Sequence, residues 1–129
     1  MAKKSQKDRI IAHVKEFYGA DPEYLWEKTP NSGVFRNSIN KKWFGAILDI
    51  PKSKLGYNDE TIVYVLDIKC DPLMVGELQK QKGFFPAYHM NKDKWLTVIL
   101  DDTVKDDTIF FLLEQSFDLI KPKIRKKKQ

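Results

Sequence analysis

Residues 61–70 place Ile62, Tyr64, Leu66, Ile68 and Cys70 on one face of an extended chain and Val63, Val65, Asp67 and Lys69 on the other. Branched and aromatic side chains dominate this run, which reads as a central strand of a sheet. In residues 43–50, Phe44, Ala46, Leu48 and Ile50 alternate with Trp43, Gly45, Ile47 and Asp49. Both faces of that run are substantially apolar. Residues 95–100 set Trp95, Thr97 and Ile99 opposite Leu96, Val98 and Leu100. A sheet of such strands has to be covered, and the flanking segments show by what.

From Gln6 to Tyr18, Ile10, Val14, Phe17 and Tyr18 form a stripe at spacings of three and four, which predicts an amphipathic helix. Ser5 is placed to cap its start with Asp8 three residues on, and Gly19 to end it. Asp21 and Pro22 carry the cap-then-proline signature of a second, short helix packed through Tyr24, Leu25 and Trp26. Residues 29–33 are turn-rich and precede a first short strand of Val34, Phe35 and Arg36. Asn40, Lys41 and Lys42 then turn the chain into the run at 43–50, which predicts a hairpin. Asp71 and Pro72 open a further helix through Leu73, Val75, Leu78 and Gln79. Residues 84–90 are strand-like but broken by Pro86, as an edge segment would be. The last helix starts near Asp106 and Asp107 and packs through Ile109, Leu113, Ser116, Phe117 and Ile120. The expected fold class is α+β, an antiparallel sheet with helices packed on one face.

The 129 residues suffice for one domain. With 12% aromatic residues and three tryptophans, most of the chain has the composition of a folded protein. The charge divides it into three parts. Residues 1–9 carry a net +3, residues 121–129 a net +6, and residues 10–120 a net −4 despite the overall +5. The expected organisation is a basic N-terminal segment with the helix start (1–9), one domain (10–120) and a basic, disordered tail (121–129). Without an apolar run of about 18 residues or an apolar segment behind the basic start, neither a membrane span nor a secretory signal is expected, and the cytoplasm is the expected location.

Basic arms of this kind supply salt-dependent, sequence-blind contacts to phosphates. Lys121, Lys123, Arg125, Lys126, Lys127 and Lys128 are the candidates for that role. In the body, His89 lies in sequence among Tyr88, Asn91, Lys92, Lys94 and Trp95, a titratable ring, an amide, two cations and aromatic faces suited to anions, bases or planar ligands. Lys41, Lys42 and Trp43 form a comparable lysine–tryptophan step. His13 stands alone on a helix. Cys70, the sole cysteine, is aligned with Leu66 and Ile68 and reads as a buried thiol, although the adjoining helix start could lower its pKa. Asp101, Asp102, Asp106 and Asp107 lack the spacing of a calcium loop, and capping accounts for some of them. No phosphate loop, nucleophile elbow or zinc set is assembled, so no catalytic residue, metal or cofactor is expected.

Tyr18-Gly19-Ala20-Asp21-Pro22-Glu23 with Trp26, Asn40-Lys41-Lys42-Trp43-Phe44-Gly45, Lys69-Cys70-Asp71-Pro72, Pro86-Ala87-Tyr88-His89-Met90-Asn91-Lys92 followed by Trp95, and Ser116-Phe117-Asp118-Leu119 resemble the MmcQ/YjbR-like family, in order, over residues 10–120. The resemblance implies a small double-wing α+β domain, related in shape to frataxin-like or secretion-chaperone-like proteins. It also implies a DNA-binding label that rests on that shape, with Lys41, Lys42, Trp43, Tyr88, Asn91, Lys92 and Trp95 as the residues carried over.

These readings lead to a small cytosolic, non-enzymatic and monomeric binding protein. Nucleic acid is its first expected partner, held through lysine-bearing hairpins and basic tails. A protein partner on an exposed sheet face is the alternative, and a small-molecule or enzyme pocket near His89 the third.

Overall fold

The computed structural model describes residues 5–121. Helix α1 spans Gln6–Tyr18, with the Ser5 side chain accepting the Asp8 N–H and Gly19 closing the last turn in a left-handed backbone (φ 64°). Strands β1 (Gly33–Arg36), β2 (Trp43–Pro51), β3 (Ile62–Lys69), β4 (Phe84–Pro86) and β5 (Trp95–Ile99) form one antiparallel sheet in the order β1-β2-β3-β5-β4. The run at 61–70 is the central strand, and the proline-broken segment is an edge. Helix α2 (Pro72–Leu78) starts where the Asp71 side chain accepts the Leu73 N–H, and α3 covers Asp106–Ile120.

The helices lie on one sheet face, as the strand and helix patterns predict. Ile10 and Val14 of α1, and Ile109, Leu112, Leu113 and Ile120 of α3, enclose Phe35, Phe44, Ile47, Leu66, Ile68, Leu96 and Val98. Gly45 points into this layer, where an added Cβ would come within 3.3 Å of the Phe35 ring. The other face carries Val34, Ala46, Leu48, Ile50, Val65 and Ile99, with Trp43, Leu55, Val63, Phe85, Tyr88 and Met90 packed against them. Loops cover this face.

Two local expectations are corrected. Asp21 and Pro22 open no helix. The Asp21 carboxylate pairs with Lys15 at 2.8 Å, and Glu23 exchanges backbone hydrogen bonds with Val34 at 2.9 and 3.0 Å. Pro22 and Tyr24 fit against this edge because Gly33 has no side chain, and the Ser32 N–H to Thr29 carbonyl turn returns the chain. The alternation in β2 also fails at its start. Phe35 pairs with Gly45 but Arg36 with Trp43, so Phe44 is an extra residue. This β-bulge puts Phe44 with Ile47 on the helix side and turns Trp43 to the side of Ala46, Leu48 and Ile50.

Candidate functional site

The bulge has a direct consequence for the loop-covered face. Trp43 meets Trp26, from the segment before β1, edge to face with ring centroids 6.0 Å apart. Across the sheet, the loop after β4 brings in Tyr88, His89 and Met90, with the rings of Tyr88 and His89 3.9 Å apart and His89 in a left-handed backbone (φ 61°). Between these walls lies a cleft of about 600 Å³, lined by both tryptophans, Tyr88, His89, Met90, Leu48, Ile50 and Pro51, with Lys28, Thr29, Ser32 and Asp49 as polar groups. Asp49 is held by the Ser32 hydroxyl, which donates to it at 3.0 Å.

A buried acid lies under the same loop. Asp67 is fully enclosed on the loop-covered face, between Ala46 and Thr97 on the neighbouring strands. The Thr97 hydroxyl donates to one carboxylate oxygen and accepts the Tyr88 N–H at 2.9 Å, while the second oxygen has no hydrogen-bond partner among the described residues. Burial pushes the Asp67 carboxyl up to about 7, opposed by the Thr97 hydrogen bond and the charge of Lys92. The Lys92 ammonium itself donates to the Ala87 carbonyl at 2.8 Å.

The candidate residues separate into those the fold gathers and those it disperses. Trp43, Tyr88 and His89 converge in the cleft. Lys41, at φ 62° in the hairpin turn, lines a different depression with Tyr18, Asp21, Glu23 and Arg36. Lys42 and Lys94 are exposed. Asn91 shapes its own turn, its side chain accepting the Asp93 N–H and its carbonyl the N–H groups of Lys94 and Trp95. Trp95 is on the cleft side of the sheet, two strands from β2 and opposite Lys69. Lys121 pairs with Asp118 at 2.9 Å, and Lys123, Arg125, Lys126, Lys127 and Lys128 lie outside the described residues. Sequence reasoning did not nominate Trp26 and Met90 for the site. The Asp21-Pro22 signature puts Trp26 in a helix that does not form, and Met90 has no pattern of its own.

Cys70 is buried, and burial, followed by the charge of Asp71, pushes its thiol up. The helix start does not activate it. Asp102 and Asp106 are tied to Arg9, and Asp106 also accepts from Gln6 at 2.9 Å. The guanidinium of Arg9 holds the Asp106 carboxyl below its usual range.

The fold and cleft together define a small α+β domain with helices on one side of an antiparallel sheet and an aromatic, loop-walled recess on the other. Residues 15–119 match the YjbR family model, and the chain belongs to that family. It is 39% identical over 115 residues to the uncharacterized protein YyaQ of Bacillus subtilis (strain 168), covering 89% of this chain and 98% of that one. The crystal structure of a Pseudomonas syringae protein superposes with a TM-score of 0.87 at 41% identity, covering 89% of this chain and 98% of the other. A Deinococcus radiodurans protein, DR2400, shares the fold at TM-score 0.67 and 22% identity, over 90% of this chain and 78% of its own. No helix among the described residues is long and apolar enough to cross a membrane.

Proposed function

We propose that this chain is a binding domain, without catalytic chemistry of its own, that holds a flat and mainly apolar group in the cleft between the Trp26–Trp43 pair and Tyr88–His89. The observation that carries this reading is the convergence of these four rings over a floor of Leu48 and Ile50. Aromatic walls on both sides of an apolar floor suit a flat ring. The candidate lysines do not converge on the cleft. Lys41 lines another depression and Lys92 is engaged by a backbone carbonyl. Of the nucleic-acid reading, the supported component is therefore stacking on an accessible base, since a base is itself a flat heteroaromatic ring.

Titration with adenosine, cytidine and single-stranded and duplex oligonucleotides across a salt series tests this. Nucleosides or single strands are expected to quench tryptophan fluorescence and shift the Trp26, Trp43, Tyr88 and Met90 resonances, with little salt dependence for the nucleosides. Trp43→Ala should weaken the binding about tenfold or more. Cleft resonances that stay still with every one of these probes would refute the reading.

A further inference from the structure

Helices α1 and α3 meet at a seam where Tyr18, Phe110 and Phe117 pack partly against the core while two further phenylalanines stay in water. The buried stripe is Ile10 and Val14 on α1 and Ile109, Leu112, Leu113, Ser116 and Ile120 on α3. Beside it, on the far side of the helix layer from the cleft, Phe17 and Phe111 are 64% and 56% exposed. His13 stacks on Phe110 with centroids 3.7 Å apart and also meets Phe17 at 4.4 Å. Packing on one face of a sheet does not require Phe17 and Phe111, and two phenylalanines left in water beside half-buried rings call for another explanation.

These rings line a groove of about 630 Å³ along the α1–α3 seam, and its charged groups have one dominant sign. Asp107, Glu114 and Asp118 line it, and the charge of Glu16 acts on the His13 ring. The cation among the lining residues, Lys121, is paired with Asp118 at 2.9 Å and has its ammonium 5.8 Å from the Phe117 ring centre. The chain thus illustrates how this surface takes a cation, by a carboxylate and an aromatic face together.

We infer that the α1–α3 groove docks a basic amphipathic helix of a partner protein, whose apolar face covers Phe17, Phe110 and Phe111 and whose lysines or arginines meet Asp107, Glu114 and Asp118. A concave apolar seam between two helices is the shape that receives a third helix. Charge selects the occupant. A second copy of this face in a two-fold dimer would bring two predominantly acidic surfaces together, whereas a basic helix neutralises them. This surface is distinct from the sheet cleft and does not depend on what the cleft holds.

The test uses the full chain and three 18-residue synthetic peptides. The first has leucine and tryptophan at helical spacing with lysine elsewhere, the second has glutamate in place of lysine, and the third is a scramble of the first. Nuclear magnetic resonance titration is expected to show the lysine peptide shifting His13, Phe17, Phe111 and Glu114. The glutamate peptide and the scramble should bind at least tenfold more weakly. Phe17→Ser, Phe111→Ser and Glu114→Lys, all at exposed positions, should each reduce the lysine peptide's affinity fivefold or more without changing the melting temperature by more than a few degrees. Equal binding of scramble and helix, shifts confined to the cleft, no binding, or concentration-dependent self-association through Phe17 and Phe111 would each overturn the inference.

Discussion

Between pH 5 and pH 8 the stability of the wild-type chain relative to Asp67→Asn is expected to fall by roughly 3 kcal/mol, on the order of 10 °C in melting temperature. The cause is the enclosed carboxylate. In the unfolded chain Asp67 ionises near the ordinary value of 3.8, but in the fold burial raises it to about 7. A raised folded-state pKa means that the native protein holds the proton more tightly. The associated stability is complete below about pH 4 and is lost as the pH rises through 7. Asparagine keeps the shape and cannot ionise, so the variant should be the more stable protein at pH 8 and lose that advantage toward pH 5. His13 acts in the opposite sense, because burial lowers its pKa and its protonation penalises the fold as the pH falls. The Asp67 contribution is therefore read from the difference between the two proteins, by thermal denaturation in matched buffers. A gap that does not change with pH would show that Asp67 is ionised throughout.

Ser116→Ala is expected to cost about 2–4 kcal/mol, a large sum for one hydroxyl. Its oxygen, buried in α3, donates to the Phe44 carbonyl at 2.5 Å and accepts the Lys69 N–H at 3.0 Å. Alanine leaves both backbone groups without that partner between helix and sheet. One of them belongs to the bulge residue, so the substitution acts on the far side of the sheet as well: Trp43 should lose its fixed position against Trp26. Urea denaturation with an unchanged slope measures the first effect, and the Trp43 indole resonance the second. A loss below about 1 kcal/mol with an undisturbed indole would mean that the bulge is held by other contacts.

Features written into short stretches were legible. The cap residues Ser5, Gly19 and Asp71, the alternation of β3 and the break at Pro86 are local properties, and each appears where the pattern puts it. The family resemblance, carried by motifs along residues 10–120, agrees with the YjbR match. What escaped was set by partners distant in sequence. The cap-then-proline signature is the same at Asp21 as at Asp71, and the backbone pairing of Glu23 with Val34, with the Asp21 carboxylate taken by Lys15, separates the outcomes. The bulge is invisible in β2 alone, since an extra residue exists only relative to the strand beside it. The site divided in the same way. Tyr88, His89 and Met90 are neighbours in the chain, but Trp26 and Trp43 join them only after the sheet has formed, and no spacing rule announces that meeting.

The two outer strands have a further consequence for life at high concentration. On one margin, the exchange of hydrogen bonds between Glu23 and Val34 already occupies part of β1. On the other, β4 is three residues long and ends in Pro86, which has no N–H to offer. Neither margin presents a long, flat row of free backbone donors and acceptors to another chain. Growth by edge-to-edge stacking is thus discouraged at both ends of a sheet rich in valine, isoleucine and aromatic residues.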